Sequence, residues 1–326
     1  MSSQTTKIIT VFGATGHQGA SVIASLLRNP AFAVRGTTRN VSSEGAQALT
    51  AKGVQLFTVD AVNPDADQLE AALKGAWGVF LNLSSHDPSI EENEYAAGKA
   101  MIDAIQGAGV EHIVYSSLPP SSLLTSGEVP MATFDEKYKL QQYISNSCNF
   151  ATASFIQAAW YFDNFKYADF SGGFPFVPGA DGVYTLRYPS CGPNLPLVAI
   201  ENDFGDWVHG ILLEPEAWNG KVVQGSSAIM SYQEMVERFE TYTGKKARVD
   251  EISVAEFETF GLSWMEEIAK MFTFFQKTAG RYYGVENDLG NAKKLKAAVA
   301  EKVGGKATLT TWEEWLAENW EDKEKQ

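Results

Sequence analysis

Short apolar runs alternate with longer helical patterns along the first half of the chain. Lys7–Phe12 and Phe32–Thr38 predict buried strands, and His17–Arg28 between them gathers its apolar side chains on one helical face. Further strands are predicted at Val54–Val59, Gly78–Leu83, His112–Ser116 and Ala151–Ile156, and further helices at Ser42–Ala51, Asp65–Leu73 and Ile90–Gly107. Strands joined by helices of this length form right-handed crossovers, so the pattern predicts an α/β fold with a doubly wound parallel sheet.

The regular alternation ends near residue 158. Residues 160–184 are rich in aromatic side chains, glycine and proline, which interrupt regular elements. Val222–Gln224 has the pattern of a strand that returns to the sheet. Ser231–Thr243 predicts a helix that ends at Gly244. Thr259–Tyr283 is aromatic and mostly helical in pattern, so the second half predicts a smaller, mostly helical lobe.

We expect this lobe to be interleaved with the sheet domain rather than attached after it. Residues 1–158 form the expected sheet domain, to which residues of about 200–225 return, and residues 159–326 form the smaller lobe. Near the end of the lobe, Thr311 and Glu314 have the spacing of a capping box at the start of a helix.

The charge balance excludes one class of partner. The 326 residues include 40 acidic and 26 basic side chains, for a net charge of −14, and such a surface repels nucleic-acid backbones. The two cysteines and four histidines have no spacing typical of a disulfide scaffold or a metal site. No apolar run is long enough to span a membrane, and the polar start lacks a signal-peptide pattern. We therefore expect a cytoplasmic protein, with a nuclear location and the oligomeric state left open.

A glycine-rich loop between the first strand and the first helix is the strongest chemical signal. Gly13, Gly16 and Gly19 form a G-x-x-G-x-x-G pattern. Gly13 suits a tight turn, Gly16 lets the backbone approach a pyrophosphate, and Gly19 lets the helix pack near the strand. The N–H groups at the helix N-terminus then face the anion, which is the arrangement of a Rossmann-type dinucleotide site. Residues 1–158 are therefore expected to form the nucleotide-binding domain.

The end of the second strand predicts which dinucleotide is bound. An NAD site needs an acidic residue there for the ribose 2′-hydroxyl, but the strand ends with Arg39 and Asn40, and no carboxylate precedes Glu44. A guanidinium is suited to a 2′-phosphate, so NADP is favoured over NAD. Asp60 is placed to reach the adenine amino group, and Asn82 and Leu83 end the fourth predicted strand. All three are equally consistent with ordinary residues at strand ends.

The chain resembles the NmrA-like family, whose members are atypical short-chain dehydrogenases. The resemblance rests on GATGHQG, TTRN, EHIVYSS and Lys99 within AGKAMIDA, and it continues through Thr133–Tyr143, Trp160–Asn164 and Glu201–Pro215 to cover nearly the whole chain. It implies a Rossmann domain that binds NADP(H) and a smaller lobe over the nicotinamide end. Some members of the family look like redox sensors that regulate other proteins, and others are similar to reductases.

One expected catalytic group is missing. Ordinary short-chain dehydrogenases carry a tyrosine four residues before a lysine, and the lysine lowers the pKa of the tyrosine for proton exchange. Ser116 and Ser117 end the fifth strand as that arrangement needs, and Lys137 matches the family lysine that holds the nicotinamide ribose. Thr133 stands four residues before Lys137, and its hydroxyl is too weak an acid to replace a phenol.

The resemblance places Tyr161 and Phe162 near the nicotinamide and brings Lys99 towards the cofactor. Tyr161 is the best remaining candidate for a proton donor, although aromatic side chains in this segment are more often part of a core or a pocket wall. The expected catalytic residues are therefore Lys137 and Tyr161. The residues expected to bind NADP(H) are Gly13, Thr15, Gly16, His17, Gln18, Gly19, Arg39, Asn40, Asp60, Ala61, Asn82, Leu83, Lys99, Ser116, Ser117, Lys137, Tyr161, Phe162 and Asn164.

Two functions compete at this point. The first is an NADPH-dependent oxidoreductase that transfers hydride to an apolar small molecule such as an imine, enone or ketone, without the usual tyrosine. The second is a non-catalytic NADP(H) redox sensor that regulates a partner protein such as a transcription regulator. A deep pocket beside the nicotinamide favours the enzyme, and a shallow opening with a large exposed apolar patch favours the sensor.

Overall fold

The computed structural model describes residues 6–84, 93–167 and 172–321. In the first half, strands and helices alternate. The strands are β1 (Lys7–Val11), β2 (Phe32–Thr38), β3 (Gln55–Thr58), β4 (Ala76–Leu81), β5 (His112–Ser117) and β6 (Thr152–Ala158). The helices are α1 (His17–Leu26), α2 (Glu44–Ala51), α3 (Ala66–Leu73), α4 (Glu94–Gly107), α5 (Ser121–Leu124) and α6 (Ala132–Ser147).

The second half mixes short strands with helices. Its strands are β7 (Trp160–Tyr161), β8 (Tyr184–Pro189), β9 (Leu195–Val198), β10 (Val222–Gly225), β11 (Ala228–Met230) and β12 (Ala247–Ile252). Its α-helices are α7 (Gly205–Leu213), α8 (Pro215–Trp218), α9 (Tyr232–Thr243), α10 (Ser263–Lys277), α11 (Gly290–Val303) and α12 (Trp312–Asn319). A 3₁₀ turn spans Phe162–Lys166 and a π-helical turn spans Ile200–Phe204.

The central sheet has seven strands in the order β10-β6-β5-β4-β1-β2-β3, and all the neighbouring strands are parallel. The predicted doubly wound α/β fold is confirmed. The strand order reverses at β1, which lies between β2 and β4. In such sheets, ligands bind outside the carboxyl ends of the strands at this switch point.

The chain returns to the sheet after leaving it. β10 pairs with the edge strand β6 in the register Val222 to Phe155 and Gly225 to Ala158. α7 packs so closely on α1 that a Cβ at Gly205 would lie 2.0 Å from the carbonyl oxygen of Ser21. These contacts explain why a segment beyond residue 200 belongs physically to the sheet.

The smaller lobe contains two small sheets that the sequence pattern does not predict. β9 lies between β7, to which it is parallel, and β11, to which it is antiparallel. β8 and β12 form a parallel pair in which Tyr184 lies opposite Ala247. The partners in β8 and β12 are far apart in the sequence, and the strands are short, so no local pattern indicates their pairing.

The predicted helix ends agree with the structure where the capping residue is specific. Ser231 accepts a hydrogen bond from the backbone N–H of Glu234, and Gly244 ends α9 in the left-handed conformation with φ 71°. Thr311 and Glu314 form the predicted capping box. The helix predicted from Ile90 is present from Glu94 to Gly107; its first residues, 90–92, lie outside the described residues.

The described part of the chain contains neither a candidate membrane-spanning helix nor a candidate metal site. No helix there is both long enough and apolar enough to cross a bilayer. No group of three or more His, Cys, Asp or Glu side chains is arranged there to hold a metal ion.

Candidate functional site

A cavity of about 800 Å³ lies along the carboxyl ends of the parallel strands. Its walls come from the glycine loop, from the ends of β2, β4, β5 and β6, and from α10 of the smaller lobe. The cavity brings together these predicted residues: Gly13, Thr15, Gly16, His17, Gln18, Arg39, Asp60, Ala61, Asn82, Leu83, Ser116, Ser117, Lys137, Tyr161 and Asn164. One continuous space therefore joins the predicted nucleotide loop to the smaller lobe.

The glycine loop has the conformation that its sequence requires. Gly13 has φ +69°, which side-chain-bearing residues rarely adopt. At Gly19, a Cβ would lie 2.1 Å from the carbonyl oxygen of Gly13, so only glycine allows α1 to pack this close to the loop. Gly16 is the N-cap of α1, and no side chain caps the helix there. The first N–H groups of α1 are thus left for an anion in the cavity.

The end of β2 closes the loop on its other side. The Ala14 backbone N–H donates to the carbonyl oxygen of Thr37 at 2.9 Å, and the Thr15 and Thr38 hydroxyl oxygens lie 3.4 Å apart. Arg39 follows and lines the cavity. Asn40 does not line it, because its Oδ1 accepts from the backbone N–H of Ser42 at 2.9 Å and stabilises the turn before α2.

Lys137 is buried on the cavity wall. Its Nζ donates to the carbonyl oxygen of Leu83 at 3.0 Å and forms an ion pair with Glu94 Oε1 at 3.0 Å. The side chains of Lys137 and Glu94 are only 7% and 3% exposed. An ammonium has three N–H donors, and these two contacts leave one for a ligand. The lysine is therefore held in place by a buried carboxylate on α4.

Thr133 lies one helical turn before Lys137 and also lines the cavity. The end of β5 faces the same space through Ser116 and Ser117, which are 2% and 1% exposed. Within the described residues, the Ser117 hydroxyl oxygen has no hydrogen-bond partner. A buried hydroxyl without a partner is costly, so this oxygen suits contact with a bound ligand.

Tyr161 joins the smaller lobe to the glycine loop. Its hydroxyl oxygen accepts a hydrogen bond from Gln18 Nε2 at 2.9 Å, and its ring meets the His17 ring edge-on with centroids 6.4 Å apart. Burial raises the pKa of Tyr161 to about 12, although the hydrogen bond from Gln18 acts in the opposite direction. The phenol is therefore neutral at physiological pH. Because the Gln18 amide occupies a lone pair, the phenol retains its own proton for donation.

Three predicted residues do not reach the cavity, in addition to Asn40. Lys99 Nζ donates to Asp103 Oδ2 at 2.7 Å and lies 4.7 Å from the centre of the Tyr143 ring, which directs it along the outer side of α4 and α6. Phe162 is fully buried against Trp312, with ring centroids 5.2 Å apart. Gly19 acts through packing rather than as a lining residue.

Side chains of α10 complete the cavity from the smaller lobe. The sequence left the aromatic residues of Trp264–Phe275 open between the core of this lobe and a pocket lining, and it did not single out Glu267. Trp264, Glu267, Ile268 and Met271 all line the cavity from α10. Their spacing of i, i+3, i+4 and i+7 is that of one helical face, a pattern visible in the sequence. The pattern indicates only a buried face, however, and does not show whether that face meets a core or a cavity. Glu267, as a charged side chain on that face, was the available signal.

The model of the NmrA-like family matches residues 5–316. The chain belongs to the NmrA-like family. The NmrA-like family domain-containing oxidoreductase hkm9 of Aspergillus hancockii is 41% identical over 325 residues, which cover 96% of either chain. Seven further relatives, 36% to 40% identical, are also described as NmrA-like family domain-containing oxidoreductases. The predicted family is confirmed, and its oxidoreductases are the members that this NmrA-like protein resembles.

Solved structures that share the fold of this NmrA-like protein include a regulator and a reductase. One is NmrA, a negative transcriptional regulator in complex with NADP, with a TM-score of 0.78, 22% identity and coverage of 97% of this chain and 96% of that chain. The other is the Citrobacter sp. triphenylmethane reductase complexed with NADP(H), with a TM-score of 0.70, 20% identity and coverage of 95% and 99%. The NmrA-like fold thus occurs both in a regulator and in a reductase.

Proposed function

We propose that this NmrA-like protein is an NADPH-dependent oxidoreductase that transfers hydride to an apolar small molecule, an imine, enone or ketone. One observation carries the proposal: the cavity continues from the glycine loop to an aromatic wall in the smaller lobe, formed by Trp160, Tyr161, Trp264 and Tyr282. Its volume of about 800 Å³ is within the range of ligand sites. We take the loop end as the dinucleotide site and the end lined by the smaller lobe as the substrate site.

The residues at the loop end fit a phosphorylated dinucleotide. The conformation of Gly13 and the uncapped N-terminus of α1 suit a pyrophosphate. Arg39 supplies a planar donor group where a 2′-phosphate would lie, and Asp60 and Asn82 line the adjoining wall. The buried Ser117 hydroxyl, which lacks a protein partner in the described chain, lies where a ligand donor or acceptor would satisfy it.

Bound NADPH supplies the hydride, and the protein supplies position and a proton. Lys137 would hold the nicotinamide ribose with its remaining N–H, since Glu94 and the Leu83 carbonyl fix its ammonium. Tyr161 donates the proton where the substrate requires one, and Gln18 keeps the phenol oriented.

The test is consumption of NADPH with a panel of ketones, imines and enones. We expect the wild type to oxidise NADPH with at least one class of substrate. Gly19→Val should do so much more slowly, because its side chain would meet the Gly13 carbonyl. Because that variant also perturbs packing, Arg39→Ala is a second loop-end variant with an exposed site. Tight NADPH binding with no turnover of any class would contradict the enzyme.

A non-catalytic NADP(H) sensor is the second candidate. It is favoured by Thr133 at the position of the usual tyrosine and by the two protein contacts that already engage Lys137. The regulator NmrA has the same fold. For such a sensor, NADPH and NADP⁺ would change the affinity for a partner protein by different amounts. No substrate would be reduced, and Tyr161→Phe would alter only stability or partner binding.

A further inference from the structure

Glu267 is a charged side chain on an otherwise apolar helical face. Among the described residues that line the cavity from the second half of the chain, it is the only charged one. Its neighbours on the same face of α10 are Trp264, Ile268 and Met271. A helical face turned inwards is ordinarily apolar, and positions that break such a pattern are expected at functional sites.

The two carboxylate oxygens of Glu267 have different surroundings. Oε1 accepts from Lys270 Nζ at 2.6 Å, and the Lys270 side chain is 49% exposed, so this contact lies at the rim. Oε2 is shielded from solvent and has no hydrogen-bond partner within the described ranges. A shielded carboxylate oxygen without a donor is costly, and a donor carried by a ligand removes that cost.

Aromatic side chains of the second half of the chain line the same cavity as Glu267. Trp160, Tyr161, Trp264 and Tyr282 all line it. The faces of such rings attract cations, and tryptophan and tyrosine do so most strongly. The cationic lining residues Arg39 and Lys137 belong to the first half of the chain, where the proposed function places an anionic dinucleotide. The smaller lobe therefore offers one negative charge within an aromatic wall.

We propose that Glu267 binds a positively charged nitrogen of the substrate, a protonated amine or an iminium, through its carboxylate group. Glu267 is then a residue that determines substrate specificity, because the same carboxylate repels anionic substrates and leaves neutral ones without compensation. The inference rests on the proposed function, since it takes the substrate to occupy the cavity beside the dinucleotide. It adds a charge requirement that the aromatic wall alone does not impose.

The experiment compares two probes of nearly equal size. 2-Phenylethylamine is a cation at neutral pH, and 2-phenylethanol is its neutral counterpart. Each is titrated by calorimetry into the full-length protein, with and without saturating NADP⁺. We expect the wild type to bind the amine at least about tenfold more tightly than the alcohol, because a hydrogen bond to a charged group is a strong one.

Three variants separate the roles of the neighbouring charges. Glu267→Gln keeps the shape of the side chain and should lose most of the preference for the amine. Glu266→Gln changes an exposed residue of the same helix and should keep the preference. Lys270→Met removes the present partner of Glu267 and should keep or increase it.

The outcomes distinguish this inference from the proposed function. Equal affinity of the wild type for both probes, absence of heat from either, or an unchanged preference in Glu267→Gln overturns the role of Glu267. NADP⁺ titrations of the same samples test the proposed function separately. Failure of the wild type to bind NADP⁺ contradicts that function, whereas tight NADP⁺ binding with equal probe affinities contradicts only the assignment of Glu267.

Discussion

At the scale of single residues, the end of β2 bears on the choice between the two nicotinamide dinucleotides. Arg39 lines the cavity, and no carboxylate follows it before Glu44. We predict that Arg39→Ala lowers the affinity for NADPH at least tenfold and leaves that for NADH nearly unchanged, because a charge-assisted hydrogen bond contributes about 1.5–3 kcal/mol. Fluorescence titration with both dinucleotides measures this, with the exposed Arg248→Ala as control. Equal losses for both dinucleotides would contradict the 2′-phosphate contact.

Substitutions of Tyr161 and Thr133 should have different effects on kcat, because only Tyr161 is expected to donate a proton. A positioned general acid contributes about 10²–10⁴-fold, so Tyr161→Phe should lower kcat at least a hundredfold with NADPH affinity retained. Thr133→Ala should change kcat by less than about tenfold, because an aliphatic hydroxyl is too weak an acid for this role. Burial raises the pKa of Tyr161 to about 12, so its contribution should not titrate between pH 6 and 10. Steady-state kinetics of both variants across this range give the answer.

The Lys137–Glu94 ion pair changes what a lysine variant can show. Lys137→Met removes the ammonium that pairs with the buried Glu94 carboxylate, and breaking a buried pair in this way costs about 3–5 kcal/mol. We therefore predict that Lys137→Met lowers the free energy of unfolding as well as NADPH affinity. The double variant Lys137→Met/Glu94→Gln should recover much of the stability but not the affinity. Chemical denaturation and NADPH titration separate the two effects; recovery of affinity in the double variant would remove Lys137 from the proposed site.

At the scale of elements, α7 is joined to α1 by a buried polar network around His209. The Asn29 side-chain amide lies 3.1 Å from His209 Nε2, and Asn29 Oδ1 accepts from the Ala31 N–H. The Asn29 amide nitrogen must therefore be the group that faces Nε2, and it donates there. Nδ1, 3.0 Å from the Ser25 hydroxyl oxygen, then carries the proton of a neutral ring.

Burial, together with the nearby Arg28 charge, lowers the pKa of His209 to about 4, although Asp206 opposes the shift. The unfolded chain takes up a proton near pH 6.5 and the folded chain does not, so stability is fully present above that pH and falls towards pH 4. At 1.36 kcal/mol per unit, the loss reaches about 3 kcal/mol. His209→Gln should remove this part of the pH dependence, and the exposed His17→Gln should not. Chemical denaturation at pH 7.5 and at pH 5 measures the free energy of unfolding of the wild type and both variants. An identical loss between the two pH values in all three proteins would contradict the network.

The same scale shows which elements the sequence could predict. β2 has the predicted bounds, and the caps at Ser231, Gly244 and Thr311 agree, because period, capping residue and left-handed glycine are local features. The pairing of β8 with β12 and the insertion of β9 between β7 and β11 were not predictable. These contacts join segments distant in sequence, and such short strands carry no period that distinguishes them from loops.

At the scale of the whole molecule, the site divides into a half that the sequence predicts and a half that it does not. Gly13, Gly16 and Arg39 line one cavity because the carboxyl ends of parallel strands meet at one edge of the sheet, and Lys137 reaches it from α6, a helix that comes after β5. Lys99 points away from the cavity because it donates to Asp103, one helical turn later. Similarity to a family motif does not take this neighbour into account. Glu267 lines the cavity only because α10, more than a hundred residues after Lys137 in the sequence, packs over it.

The central claim, that this NmrA-like protein transfers hydride from NADPH to a small molecule, is tested most directly by isotope transfer. The protein is incubated with the panel of imines, enones and ketones and with NADPH that carries deuterium at the transferable position of its nicotinamide. The masses of the products are then measured by mass spectrometry. The account predicts a reduced product that carries one deuterium atom, formed by the wild type and slowed in Tyr161→Phe when the substrate needs a proton. Tight NADPH binding with no deuterated product from any member of the panel would contradict it.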